Sequence, residues 1–226
     1  MKKILEIGLA GMIVCSLAAC GGQSAGKEPT TGQPASSGQT LEETSAGIPQ
    51  SKLVALFHNS VFLGDSITEG LAYHEVLAEE NVLAGAGKTA EFAMGDMDEL
   101  TKRNPKHIFI QLGSDDILWP TDHPQEYAIG HYTALIETIK QKLPQAKITV
   151  LSVTPVTEEA LGKEPRYQPI PDFNEKLKEM AAKEQVAFAD LSAIFANHPD
   201  LYDTDGIHFK PEFYPLMLEA LKEQVE

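Results

Sequence analysis

Five short apolar runs recur in residues 51–226, separated by longer segments in which apolar residues repeat with helical spacing. The runs are apolar without strict alternation, which is typical of strands covered by helices on both faces. Strands that alternate with helices along the chain indicate a parallel sheet. The pattern therefore predicts an α/β protein, a three-layer α/β/α sandwich with a five-stranded parallel sheet formed by residues 61–63, 82–84, 108–112, 148–153 and 186–191.

Three of the intervening segments predict helices with one buried face, because apolar residues recur in them about every three or four positions. These faces are expected to pack on the sheet and to form the core. The predicted faces are Tyr127, His131, Leu135, Thr138 and Leu143 in the first segment, Phe173, Leu177, Met180 and Ala181 in the second, and Phe213, Leu216, Met217, Ala220 and Leu221 in the third.

Residues 1–20 have the pattern of a secretory signal peptide, with Lys2 and Lys3 before an apolar segment too short to remain as a membrane span. The segment ends in Leu17-Ala18-Ala19-Cys20, which resembles the lipobox of bacterial lipoproteins. That resemblance implies lipidation of Cys20 and attachment to the cell membrane outside the cytoplasm. Residues 21–50 are mainly Gly, Ser, Thr, Pro, Gln and Glu, which predicts a disordered linker. Residues 51–226 remain as one domain.

Charge and cysteine content exclude several classes of function. The formal net charge of −15 argues against a nucleic-acid partner, which requires a basic surface to displace counterions from phosphates. The only two cysteines are Cys15 and Cys20. Signal cleavage would remove Cys15 and lipidation would use Cys20, so neither a disulfide, a zinc cluster nor a cysteine nucleophile is expected.

The serine at position 66 is a candidate nucleophile. Residues 61–68 pass from an apolar run into Gly64-Asp65-Ser66 directly before an amphipathic segment, which predicts that Ser66 lies where a strand ends and a helix begins. The first N–H groups of a helix lack intrahelical acceptors and can hold an oxyanion formed beside this hydroxyl. Helix capping by Ser66 explains the same residues equally well. Asp205 and His208, a carboxylate and an imidazole three residues apart at the far end of the chain, just before the last predicted helix, favour catalysis.

The other chemically suggestive clusters also follow predicted strands. Gly85-Ala86-Gly87 follows the second strand and Gly113-Ser114-Asp115-Asp116 follows the third. The carboxyl ends of the strands border the ligand crevice in open α/β sheets, so all these clusters are expected on one rim. The remaining histidines have no such neighbours and are expected at surface or capping positions; they are His58, His74, His107, His123, His131 and His198.

Together these motifs resemble those of the SGNH, or GDSL-type, hydrolases over residues 52–226. Gly64-Asp65-Ser66 matches the first block of that family, Asp205-Gly206-Ile207-His208 matches its last, and Gly87 falls at the glycine of its second. The resemblance implies a flavodoxin-like fold and ester hydrolysis through an acyl-enzyme, without a metal or cofactor. Ser66 would be the nucleophile, His208 the general base and Asp205 the carboxylate that orients the imidazole.

The oxyanion hole is where the sequence departs from the family. The hole would comprise the N–H groups of Ser66 and Gly87 and the side chain of residue 115, which is asparagine in the family's Gly-x-Asn-Asp block but Asp115 here. An ionised aspartate can only accept hydrogen bonds and would repel the oxyanion. Asp115 could instead be protonated and donate an O–H, or turn away and bind the backbone. The sequence therefore predicts a weakened or pH-tuned esterase.

Three alternative functions match parts of the sequence. Residues 82–89 approximate a phosphate-binding loop, but Val82 stands where the first glycine should be. Residues 201–212 approximate a calcium loop, but Leu201 replaces the first ligand. Asp115 also permits a binding module for glycans or the cell wall that retains the shape of an esterase.

The predicted crevice borders indicate the substrate class. Residues 154–171, including Arg166 and Tyr167, and Trp119 after the third strand would shape the crevice. Aromatic side chains suit stacking on sugar rings, although a single tryptophan can equally cover the core. Because no long apolar segment is available to dock on lipid, small or carbohydrate esters, including O-acetyl esters, are expected rather than triglycerides.

Overall fold

The structure is a computed structural model that describes residues 49–225. Its sheet has five parallel strands in the order β2-β1-β3-β4-β5, which confirms the predicted fold class. The strands are β1 (Ser60–Gly64), β2 (Val82–Ala84), β3 (His107–Gln111), β4 (Lys147–Leu151) and β5 (Ala187–Ala189). The predicted signal segment, the lipobox with Cys20 and nearly all of the predicted linker lie outside the described residues.

Helices cover both faces of this sheet. In the described part of the chain they are α1 (Gln50–Leu56), α2 (Ser66–Tyr73), α3 (Ala90–Ala93), α4 (Met97–Arg103), α5 (Pro124–Lys142), α6 (Glu158–Lys163), α7 (Ile170–Lys183), α8 (Ser192–Asn197) and α9 (Phe213–Val225). One apolar cluster joins α3, α4, α5 and α7 to the sheet, and a second joins α1, α2, α8 and α9. No helix within residues 49–225 is long and apolar enough to cross a membrane.

The last two strands are shorter than predicted because side-chain hydrogen bonds replace the strand ladder. The backbone N–H of Ser152 still donates to Ala189 O, but Ser152 Oγ accepts from the backbone N–H of Leu191 at 2.9 Å. The chain leaves the sheet at this point, so β4 ends at Leu151 and β5 at Ala189. The apolar residues that follow, Val153 and Leu191, pack in the core outside the sheet.

Two predicted helix faces require correction. The buried face of α5 is Ala128, Tyr132, Leu135, Ile136 and Ile139, whereas Tyr127, His131 and Thr138 are only half-buried. Tyr132 sets this orientation, because its hydroxyl binds both the N–H and the carbonyl of Leu112. In α9, Tyr214 and Leu218 are buried and Ala220 is exposed. The predicted face of α7 is confirmed: Phe173, Leu177, Met180 and Ala181 are all buried.

His107 is also not where it was expected. It was predicted at a surface or capping position, but it lies in β3 with 5% of its surface exposed. Its Nε2 lies 2.8 Å from Thr149 Oγ1 on the neighbouring strand. Burial, together with the charge of Lys147, lowers the pKa of His107 to about 4. His107 is therefore a neutral core residue near physiological pH.

Candidate active site

Ser66 lies at the junction between β1 and α2. Asp65 caps the helix, because its Oδ1 accepts from the N–H of Ile67 at 3.0 Å, and Ser66 is the first helical residue. The turn requires glycine at position 64, since a Cβ there would lie 2.0 Å from Thr68 Oγ1 and 2.5 Å from Gln111 O. Ser66 therefore lies, as predicted, where a strand ends and a helix begins.

A continuous hydrogen-bonded chain joins Ser66, His208 and Asp205. Ser66 Oγ lies 2.8 Å from His208 Nε2, and His208 Nδ1 lies 2.6 Å from Asp205 Oδ2. A carboxylate beside Nδ1 favours the tautomer that carries its proton there, which leaves Nε2 able to accept the serine proton. Partial burial opposes ionisation of Asp205, but hydrogen bonds from the ring and backbone N–H of His208 and the N–H of Ile207 hold its pKa below the usual value.

The loop that carries Asp205 and His208 is held in one shape. Asp205 Oδ1 accepts from the N–H groups of Ile207 and His208 at 2.8 and 2.9 Å. Gly206 has φ +74°, and a Cβ there would lie 2.1 Å from Thr157 Oγ1, so only glycine fits. The carbonyl of Gly206 accepts from the N–H of Thr157 at 2.9 Å, which joins this loop to the start of α6.

Two backbone N–H groups are available as oxyanion donors. Gly87 has φ +73° in the turn closed by the hydrogen bond from Lys88 N to Gly85 O. Gly85 N donates to Gly64 O at 3.2 Å, so this turn lies beside the end of β1. Within residues 49–225, neither the N–H of Gly87 nor that of Ser66 donates a hydrogen bond. Both donors are at the rim that carries the serine hydroxyl.

Asp115 lies close enough to His208 for their charges to interact. Its side chain is half-buried, and burial raises the pKa of Asp115 above its usual value while the His208 imidazole opposes the rise. The buried Oδ2 has no hydrogen-bond partner within residues 49–225. No backbone N–H in that range binds this carboxyl, so the expectation that Asp115 turns away to bind the backbone is not met. The raised pKa extends the pH range over which the carboxyl is protonated, compared with an ordinary aspartate.

Two further carboxyls lie beneath this rim, and their significance was not evident from the sequence. Asp65 Oδ2 accepts from Ser114 Oγ at 2.5 Å, and Asp116 Oδ1 accepts from the N–H of Ala90 at 2.9 Å. Burial, with a contribution from Asp115, raises the pKa of Asp65 to about 6. Burial, with contributions from Asp65 and Asp115, raises that of Asp116 to about 7. Their position within the two motifs was the only available signal.

Replacing Asp116 with asparagine is expected to stabilise the protein at alkaline pH. A carboxyl whose pKa rises from 3.8 to about 7 on folding stabilises the fold below 3.8, and that contribution is lost as pH rises through 7. Near pH 8, burial of ionised Asp116 costs on the order of 2–4 kcal/mol. Asparagine keeps an oxygen for Ala90, so Tm should rise by roughly 5–10 °C at pH 8.

Thermal unfolding followed by circular dichroism at pH 8 and pH 4.5 tests this prediction. At pH 4.5 the carboxyl is neutral in the folded state and ionised only in the unfolded state, so most of the penalty is absent and the difference in Tm should be much smaller than at pH 8. An equal difference in Tm at both pH values would mean that ionisation of Asp116 does not control stability.

The geometry supports neither the phosphate-binding loop at residues 82–89 nor the calcium loop at residues 201–212. Lys88 Nζ lies 2.6 Å from Asp96 Oδ2, so this lysine is paired inside the protein, and Thr89 caps α3 through Phe92 N. Within residues 49–225, no group of three or more His, Cys, Asp or Glu side chains could hold a metal ion.

The segment 154–171 borders the rim as expected, but it is not an open loop. It contains α6 and a short 3₁₀ turn, Pro165–Tyr167. Arg166 pairs with Glu164 and donates to Leu118 O at 2.9 Å, which joins this segment to the chain after β3. Tyr167 is buried, and burial together with the charge of Asp115 raises its pKa to about 12. Trp119 packs edge-on against Phe92, with ring centroids 5.4 Å apart.

Comparison with known proteins identifies the class. Residues 62–216 match the GDSL-like lipase/acylhydrolase family, and because this match spans more than half of the sequence, the chain belongs to that family. It is accordingly an ester hydrolase of the GDSL type. No curated protein matches the chain.

Solved structures share the fold at low sequence identity. A GDSL-like lipase from Bacteroides thetaiotaomicron is 20% identical, with a TM-score of 0.61 over 74% of this chain and 86% of that chain. A lipase/acylhydrolase from Enterococcus faecalis is 16% identical, with a TM-score of 0.56 over 73% and 93%. An acetyl xylan esterase is 16% identical, with a TM-score of 0.57 over 74% and 99%.

Proposed function

We propose that this ester hydrolase is a serine esterase, anchored by lipid outside the cytoplasm, that removes small acyl groups such as acetyl from small or carbohydrate esters. The observation that carries the proposal is the hydrogen-bonded chain from Ser66 Oγ through His208 to Asp205, with distances of 2.8 and 2.6 Å. This geometry suits transfer of the serine proton to the imidazole as the oxygen attacks an ester carbonyl.

The proposed reaction has two steps. Ser66 Oγ attacks the carbonyl carbon while His208 Nε2 accepts the hydroxyl proton, and the same proton then passes to the leaving alcohol as the acyl-enzyme forms. Water attacks the acyl-enzyme with His208 again as base, which releases the acid and restores the serine. Asp205 stabilises the imidazolium in both steps, and the N–H groups of Ser66 and Gly87 receive the oxyanion.

The surface around the rim favours a small or hydrophilic ester. Among the described residues, the exposed large hydrophobic side chains are Tyr73 and Phe92, with 80% and 53% of their surfaces exposed. Two exposed rings, one on α2 and one on α3, are too few for the extended apolar patch that a lipid surface or a long acyl chain requires. The acetyl xylan esterase that shares the fold gives a reason to include acetylated glycans among the substrates tested.

A panel of esters tests this proposal. Hydrolysis of 4-nitrophenyl esters of increasing acyl length, and release of acetate from acetylated xylan and acetylated peptidoglycan, should be measured with the purified domain. The proposal predicts the highest kcat/KM for acetyl or propionyl esters and a decline beyond about six carbons. A steady increase up to long acyl chains would contradict it.

Replacing Cys20 with alanine is expected to release the protein from the membrane. The lipobox-like segment 17–20 supports the anchor, and lipoprotein processing supplies more than one acyl chain, which is enough for stable attachment where one chain is marginal. Fractionation of expressing cells measures the effect, with Cys15→Ala as the matched control. If the Cys20 variant stays with membranes as fully as wild type, the anchor lies elsewhere.

A second candidate function is a binding module for glycans or the cell wall, and Asp115 is the observation that favours it. An ionised carboxyl beside the proposed oxyanion donors would weaken catalysis and leave the crevice as a binding surface. A serine-directed fluorophosphonate distinguishes the two functions, because a module without an activated serine would not react.

A further inference from the structure

A cavity of about 260 Å³ lies beside the reacting groups and is lined by both Ser66 and His208. It lies between α2 and the segment that precedes and begins α9. Neither Gly87 nor Asp115 lines it, so it opens on the imidazole side of the serine rather than on the side of the proposed oxyanion hole. The other lining residues that carry the argument are Glu69, Gly70, Tyr73, His74, Asp203 and Tyr214.

Tyr214 contributes a hydrogen-bonding group that the fold leaves unused. Only 2% of the surface of this residue is exposed, and none of the hydrogen bonds found within residues 49–225 involves its hydroxyl. The hydroxyl lies directly over Gly70, where a Cβ would be 1.8 Å from Tyr214 Oη. Burial, with contributions from Asp65 and Asp203, raises the pKa of Tyr214 above its usual value, so the phenol is neutral. Tyr214 lines the cavity, so its hydroxyl is available to hydrogen-bond an occupant.

The charge of the cavity has one sign. Glu69 and Asp203 line it, and none of its lining residues is lysine or arginine. Glu69 makes no ion pair or hydrogen bond with any side chain in residues 49–225, and Asp203 Oδ1 accepts only from the N–H of Thr204. These carboxylates are therefore not neutralised by the protein itself.

Aromatic rings complete the walls. Tyr73 is 80% exposed, and its ring meets His74 edge-on at a centroid distance of 4.9 Å. His74 in turn lies 5.1 Å from the ring of Tyr214. Rings beside unpaired carboxylates attract an ammonium group through both the ring quadrupole and direct charge attraction. An anionic ester would be repelled by the same carboxylates.

The position of the cavity indicates which part of the ester it receives. In the proposed reaction, His208 returns a proton to the leaving oxygen, so the leaving alcohol must lie on the imidazole side. We propose that the cavity between α2 and α9 binds the alcohol part of the substrate, and that this alcohol carries a positively charged ammonium group. This inference rests on the proposed esterase function and adds a substrate class to it.

Two acetyl esters of nearly equal shape test the inference. Acetylcholine and 3,3-dimethylbutyl acetate differ only in that a quaternary nitrogen replaces a carbon. Values of kcat/KM should be divided by the rate of hydroxide-catalysed hydrolysis of each ester, which corrects for the different leaving groups. The corrected preference for acetylcholine is expected to be about tenfold at low ionic strength, and smaller in 0.5 M salt because salt screens the carboxylates.

Substitutions in the cavity test whether it causes the preference for acetylcholine. Glu69→Gln and Tyr73→Ala alter exposed side chains and should each lower the preference about threefold. Glu137→Gln is the matched control, because it removes one exposed carboxylate from α5 on the opposite face of the sheet and should leave the preference unchanged. Tyr214→Phe should also lower kcat/KM for esters of protonated amino alcohols, because their ammonium N–H can donate a hydrogen bond to the Tyr214 hydroxyl.

The outcomes separate this inference from the proposed function. Hydrolysis of both esters with equal corrected rates, or with a preference that Glu69→Gln and Tyr73→Ala leave intact, would overturn the cationic site while the esterase function stands. Hydrolysis of neither ester by a protein that hydrolyses 4-nitrophenyl acetate would also overturn the cationic site alone, whereas no hydrolysis of any ester tested would overturn both. A preference that falls in the two cavity variants and persists in Glu137→Gln supports the site.

Discussion

Replacement of Ser66 by alanine is expected to lower kcat for a small acetyl ester by on the order of 10⁴-fold or more. The hydroxyl at this position is the one that lies 2.8 Å from His208 Nε2. Without it no acyl-enzyme can form, and only the residual effect of binding and of the oxyanion donors remains. Steady-state hydrolysis of 4-nitrophenyl acetate, with circular dichroism to verify the fold, measures the loss.

A matched control separates catalysis from general damage. Ser51 is an exposed serine in α1, on the face of the sheet that also carries α2, and Ser51→Ala should hydrolyse the ester at the wild-type rate. Because Ser66 does not cap α2 with its own side chain, Ser66→Ala should also unfold near the wild-type temperature. Turnover close to wild type in a folded Ser66→Ala protein would mean that another group is the nucleophile.

Asp115→Asn is expected to raise kcat for the same ester by about tenfold or more at pH 8, since one oxyanion donor is typically worth 10²–10³-fold in rate. The raised pKa of Asp115 keeps this carboxyl protonated to higher pH than an ordinary aspartate, but it ionises as pH rises. Wild-type activity should therefore decline on the alkaline side, where an ionised Asp115 repels the oxyanion. Asparagine donates an N–H at every pH, so its profile should extend to higher pH.

To separate loss of the Asp115 charge from gain of a hydrogen-bond donor, a second variant must remove the charge without supplying a donor. Asp115→Ala should also lose the alkaline decline, but its kcat should stay below that of Asp115→Asn. The acid sides of the two variants' profiles should coincide, because both substitutions remove the carboxylate that interacts with His208. If Asp115→Asn lowers kcat at every pH in a folded protein, Asp115 has a positive role in catalysis and the hole is not weakened.

The sheet and the position of Ser66 could be predicted because they depend on local patterns. Five apolar runs without alternation were sufficient for a parallel sheet, and Gly64-Asp65-Ser66 was sufficient for the strand-to-helix turn. The motif that contains Asp205 and His208 is short, so its internal geometry is also local. What remained was the contact between this motif and Ser66, 142 positions apart, which only the fold brings about.

The features that could not be predicted depend on contacts between elements. The hydroxyl of Tyr132 binds the Leu112 backbone, and this tertiary bond decides which side of α5 faces the sheet. His107 is tolerated inside β3 because Thr149 on the next strand supplies a partner. The acidic cavity requires Tyr214 to rest on Gly70, two residues from different helices whose contact has no signature in the sequence.

The most direct test of the central proposal, that Ser66 is an activated nucleophile, is to label the protein with a fluorophosphonate and to locate the modified residue by peptide mass spectrometry. The geometry predicts one covalent adduct per molecule on Ser66, lost in Ser66→Ala and strongly slowed in His208→Gln. Absence of any adduct, or an adduct on another serine that persists in Ser66→Ala, would contradict it.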